Sequence, residues 1–144
     1  MSDPGPSWYR KFPHRYKYQT LEEVSFETGW NLPRRQSIRS SNGWVHLTGD
    51  GRLTIQRGYC WDGASGPTFD TASTMLASLV HDALYQLMRE CLLPQDYRIP
   101  ADVCLKRIML REYKGNWPKW HAARVDAWVW ALKRFGGPSA TPEG

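Results

Sequence analysis

The sequence predicts an α+β fold, with a small N-terminal antiparallel β-sheet followed by a three-helix C-terminal half. Three observations carry that expectation. Short segments before residue 60 alternate apolar and polar residues, the period of half-buried strands. The stretch Gly58–Asp70 holds three glycines and a proline, which forbid a regular helix or a central strand. Beyond it, apolar residues recur at helical spacing.

Along the chain, residues 1–20 mix Pro, Gly and aromatics with basic residues and show no clean period, so they read as an irregular arm. Leu21–Thr28 alternates Val24 and Phe26 with polar neighbours, a strand pattern. Arg34–Gly43 is polar and reads as a loop. Trp44–Leu47 and Leu53–Ile55 read as two short strands, and Thr48-Gly49-Asp50-Gly51 supplies the turn chemistry of a hairpin between them. A first helix runs from about Thr71 to Glu90, marked by Leu76, Leu79, Val80, Ala83, Leu84, Leu87 and Met88. A second runs from about Pro100 to Tyr113 with Val103, Ile108 and Met109 inward, and Pro suits a first turn. A third begins near Pro118, carries Val125, Trp128, Val129 and Leu132 as its stripe, and stops at Gly136-Gly137. The organisation expected is an arm over 1–20, one domain over 21–137 and a polar tail over 138–144.

Composition bounds the function. A chain of 144 residues, 41% hydrophobic and 23% charged, can bury a core of its own. No apolar run approaches the roughly 20 residues of a membrane-spanning helix, and Met1–Pro6 lacks the basic start and apolar stretch of a secretory signal. Cys60, Cys91 and Cys104 are an odd number at wide spacing, which fits neither a disulfide framework nor a zinc site and points to synthesis in a reducing cytoplasm. Residues 1–40 carry seven Lys/Arg against four Asp/Glu, residues 41–97 three against six, and residues 98–135 nine against three. Basic ends around a mildly acidic middle suit nucleic acid, anionic lipid or an acidic partner, or only a solvated helix face.

The residues that could carry chemistry are Asp62-Gly63 in the loop, His81, Asp82 and Tyr85 on the first helix, and Asp102 on the second. His81 and Tyr85 stand one turn apart on one helix face, with Asp82 rotated by about 100°. His81 is flanked by aliphatics, so its second nitrogen needs a partner. Asp102 on the neighbouring helix is the candidate, and a carboxylate there would fix the tautomer and free the other nitrogen to act as a base. Asp82 could join backbone carbonyls of the glycine-rich loop, the oxygen ligand set of calcium. The same residues also admit a purely structural account, as a hydrogen-bonded pair, a core tyrosine and a tight turn.

The string Gly58-Tyr59-x-x-Asp62-Gly63-Ala64-Ser65-x-Pro67, then His81-Asp82-x-Leu84-Tyr85, then Ala101-Asp102 resembles a family of unknown function common in tailed bacteriophages and prophages. The resemblance spans about Leu53 to Gly137. It implies a phage origin and carries no settled activity. A glycine-containing loop followed by His-Asp-x-x-Tyr and a later Asp is also similar to secreted and viral phospholipases A2. That similarity implies His81 as the base, Asp82 with Asp62, Gly63 and Gly66 as calcium ligands, Asp102 as the acid that orients His81, and Tyr85 as its support. The disulfides of the secreted members are absent.

Two functions follow as expectations. The first is a virion or tail-associated structural or assembly protein, made in the host cytoplasm, whose aromatic residues 8–18 dock on another virion protein. The second is a calcium-dependent hydrolase acting on host envelope lipid. Nucleic-acid binding through Lys106, Arg107, Arg111, Lys114, Lys119 and Arg124 matches no reader motif.

Overall fold

A computed structural model describes residues 8–11, 18–61 and 72–111 of the chain. These are antiparallel sheets followed by helices, an α+β protein. The chain divides into two compact units, residues 1–63 and 64–144.

The first unit holds two sheets instead of the single one expected. Strands β1 (Tyr9–Lys11), β2 (Tyr18–Thr20) and β7 (Cys60–Trp61) form a three-stranded sheet in the order β1-β2-β7. Strands β3 (Val24–Glu27), β4 (Ile38–Arg39), β5 (Val45–Leu47) and β6 (Arg52–Ile55) form the other, in the order β3-β6-β5-β4. The register of the larger sheet explains its core. Val24 and Val45 flank Ile55, while Phe26, Leu53, Leu47 and Ile38 lie in one row across the strands. Because side chains alternate, all of these share one face, where Val45, Leu47, Leu53 and Ile55 are completely buried. Ser25, Thr54, His46 and Arg39 make the corresponding row on the other face.

The turn between β5 and β6 lies where its residues predict it. Gly51 N–H donates to the Thr48 carbonyl at 2.9 Å and Thr48 N–H to the Arg52 carbonyl at 2.9 Å. Gly51 has φ +96°, and a Cβ there would stand 2.4 Å from the Trp30 carbonyl oxygen, so only glycine fits.

Two expectations for this unit are corrected. The arm is not irregular where it is described: Tyr9–Lys11 and Tyr18–Thr20 pair as strands, and Trp8, Tyr9 and Tyr18 pack on Trp61, with Trp8 and Trp61 stacked at 6.0 Å. Aromatic burial supplies what period-2 patterning does not. The loop over Arg34–Gly43 contains β4, paired to β5 through Ile38–Leu47 and Arg39–His46.

In the second unit, α1 (Ala72–Arg89) and α2 (Arg98–Arg111) pack together. Helix α1 buries Met75, Leu79, Val80, Ala83, Leu84, Leu87 and Met88. It ends in a two-bond cap: Leu92 N–H donates to the Leu87 carbonyl at 2.9 Å, and Cys91 N–H to the Met88 carbonyl at 3.0 Å. This is the Schellman arrangement, with Cys91 at φ +59° in the place glycine usually takes. Helix α2 buries Ala101, Asp102, Cys104, Leu105, Ile108 and Met109. Val103, expected inward, is 51% exposed. The reason is helix phase: Val103 lies on the side of α2 roughly opposite the buried Ala101, Leu105 and Ile108. The third helix expected from about Pro118 and the polar tail expected over 138–144 fall outside the described residues. Among the described residues no helix is long and apolar enough to cross a membrane.

Candidate functional site

The site grows from α1. A turn of helix separates His81 from Tyr85, so their rings share one face, and they overlap with centroids 3.9 Å apart. The neighbouring α2 brings Asp102 against both. Its Oδ1 lies 2.7 Å from His81 Nε2, and Tyr85 donates its hydroxyl to the same oxygen at 2.8 Å. Asp102 is fully buried, His81 is 5% exposed and Tyr85 2%. The second carboxylate oxygen, Oδ2, is also buried and has no hydrogen-bond partner among the described residues.

An ionised carboxylate can only accept, so the Asp102 contact places a proton on His81 Nε2. The other ring nitrogen, Nδ1, faces Asp82 Oδ1 at 3.8 Å, and the Asp82 side chain is 39% exposed. Burial opposes a charged imidazole and is the strongest single influence on His81. The hydrogen bonds and negative charges of Asp102 and Asp82 together outweigh it, so His81 holds its proton more firmly than a free histidine. Tyr85 is driven upward, first by burial and then by the Asp102 charge beside it, while a hydrogen bond from Arg98 pulls the other way. Burial also pushes the Cys104 thiol up, which makes it inert filler.

Three of the residues singled out from sequence, His81, Tyr85 and Asp102, thus meet at one oxygen, with Asp82 beside them. Asp62, Gly63 and Gly66 lie outside the described residues. Among the described residues no group of three or more His, Cys, Asp or Glu side chains could hold a metal ion. Arg98 is the member that sequence reasoning missed. It opens α2, a turn before Asp102, and the spacing that puts both on one face was legible; the helix start predicted at Pro100 concealed it.

Chemically, the cluster can hold one imidazole in a fixed orientation and tautomer and tune its proton affinity. No known protein family, curated protein or solved structure matches this chain.

Proposed function

We propose that His81 is the general base of a hydrolase acting on a carboxylic ester, with phospholipid as the substrate class. The observation that carries this reading is the shared oxygen of Asp102. It holds His81 Nε2–H and the Tyr85 hydroxyl together, so the neutral imidazole has its free lone pair on Nδ1, the nitrogen on the half-exposed Asp82 side. From there it takes a proton from water as the hydroxide adds to the ester carbonyl. Asp102 stabilises the imidazolium that forms, and the proton then passes to the departing alkoxide. Calcium is the metal this reading implies, and when bound it would polarise the carbonyl. Asp82 offers one hard oxygen donor beside the imidazole, where calcium takes about 6–8. The His-Asp-x-x-Tyr string supports the assignment, and the longer motif string supports a phage origin.

A second reading, a virion or tail structural component made in the host cytoplasm and completed by the third helix, is favoured by the burial of the same cluster. His81 at 5% exposure between two carboxylates is also what a closed ion-pair lock requires.

One experiment separates them: turnover of a fluorogenic phosphatidylcholine by the full chain in calcium and in chelator, with melting curves for H81Q and D102N. The hydrolase reading expects calcium-dependent turnover lost in both variants. Absence of turnover in the wild type, together with a joint fall in both melting temperatures, would leave the structural reading.

A further inference from the structure

The four-stranded sheet of the first unit packs its core on one face; the other carries a feature that the core does not use. There the row Ser25, Thr54, His46 and Arg39 is joined by Trp44, two residues before His46 and opposite Gln56, whose N–H donates to the Trp44 carbonyl at 2.9 Å. Trp44 is 37% exposed, the most exposed aromatic side chain among the described residues. It is nonetheless held in place. The far edge of its indole rests on Gly58, where φ is +96° and a Cβ would stand 2.8 Å from Cζ3 and 3.0 Å from Cη2, so only glycine admits the ring. Gly58 is fixed in turn, its N–H donating to the Thr20 carbonyl at 2.9 Å and its carbonyl accepting from Gln19 Nε2 at 3.2 Å. An indole braced on fixed backbone has little freedom left to lose on binding.

Charge around the ring is unevenly placed. Arg39 stands on β4, the strand beside β5, and Arg57 adjoins Gly58. Both are exposed, and neither makes a hydrogen bond or ion pair among the described residues. The described acids of this unit lie elsewhere. Glu22, Glu23 and Glu27 belong to the opposite edge at β3, where Arg52 binds Glu27 at 2.7 Å, and Asp50 sits in the β5–β6 turn, at the end of β5 away from Trp44.

That combination discriminates among occupants. Arginines alone would suit any polyanion, an acidic peptide or a duplex included. A fixed, half-open indole beside them suits a polyanion that also offers flat, unpaired rings, which is single-stranded nucleic acid. His46 follows Trp44 on the same face at about 7 Å, so a second base can meet the imidazole.

We propose that this face of the sheet binds single-stranded nucleic acid, with a base stacked on Trp44 and phosphates met by Arg39 and Arg57. The site belongs to the first unit and is independent of the hydrolase reading, which concerns residues of the second.

The test is fluorescence anisotropy of the full chain with a labelled oligothymidylate of about 12 nucleotides, within the usual span of such sites. The same strand with abasic positions and a duplex of equal length serve as comparisons, each measured over a range of salt. The oligothymidylate is expected to bind tightest. Trp44→Leu, which keeps apolar bulk, should weaken it about tenfold or more, the loss typical of one stacked base, while Trp44→Phe retains part of the affinity. Arg39→Gln with Arg57→Gln should lower the slope of log affinity against log salt by about 1.4, at about 0.7 per cation on a single strand. These two arginines are already in water, so their melting temperature should not move, and melting curves check that the Trp44 variants fold. A chain that leaves the oligothymidylate free overturns the proposal. So does equal binding of the abasic strand, which would reduce the contact to charge, or equal binding of the duplex, whose paired bases cannot reach the indole. An unchanged salt slope in the arginine variant, or undiminished binding in a folded Trp44→Leu, overturns it as well.

Discussion

Replacing Asp102 by alanine is the sharpest perturbation of the helix pair. The carboxylate accepts from His81 Nε2 at 2.7 Å and from the Tyr85 hydroxyl at 2.8 Å. The substitution orphans two buried donors in one step. Each costs about 1–3 kcal/mol when left unsatisfied, so the sum is about 2–6 kcal/mol. Removing a buried carboxylate whose Oδ2 has no partner among the described residues returns part of this, since desolvating a lone anionic oxygen is itself unfavourable. A net loss of about 2–4 kcal/mol is expected, read as a fall in the urea midpoint at unchanged slope. The partners should also be coupled. Tyr85→Phe alone should cost about 1 kcal/mol. In the Asp102→Ala background it should cost less, because the hydroxyl has already lost its acceptor, giving a coupling energy of about 0.5–2 kcal/mol. An Asp102→Ala loss within about 0.5 kcal/mol, the range of unremarkable surface substitutions, would refute a buried shared acceptor. Strict additivity with Tyr85→Phe would refute the shared oxygen.

Two further outcomes test other parts of the structure. His81 binds its proton more tightly folded than unfolded, so its contribution to stability is fully present below the unfolded pKa, about 6.5, and is lost as pH rises through the folded value. Wild type should therefore lose stability on the alkaline side relative to H81Q, and any turnover should rise with pH across the same window; a stability difference independent of pH would contradict the two-carboxylate hold on the imidazole. Cys91 adopts a left-handed conformation at the end of α1, so Cys91→Gly should stabilise the chain by about 0.5–1.5 kcal/mol, and a lower urea midpoint would show that the thiol contributes more than the cap geometry costs.

Local rules made part of this molecule legible without coordinates. The β5–β6 turn follows from Thr48 to Gly51 because a tight turn depends only on the residues within it. Helix α1 follows from its apolar spacing, which runs for five turns and leaves no competing period. His81, Tyr85 and Asp102 were identifiable as a set because a histidine among aliphatics demands a partner and the next helix offers one acid in reach. Strands β1, β2, β4 and β7 were not legible. Each is two or three residues long, too short to display a period, and β2 and β7 pair across about forty positions through Tyr18–Trp61 and Gln19–Cys60. The phase of α2 was likewise a tertiary decision. Its apolar residues surround the helix, so periodicity offers no preferred face, and Val103 and Asp102 competed for the interior. The carboxylate went in because His81 and Tyr85 were there to meet it, and Val103, roughly opposite the buried Ala101, Leu105 and Ile108, faces out.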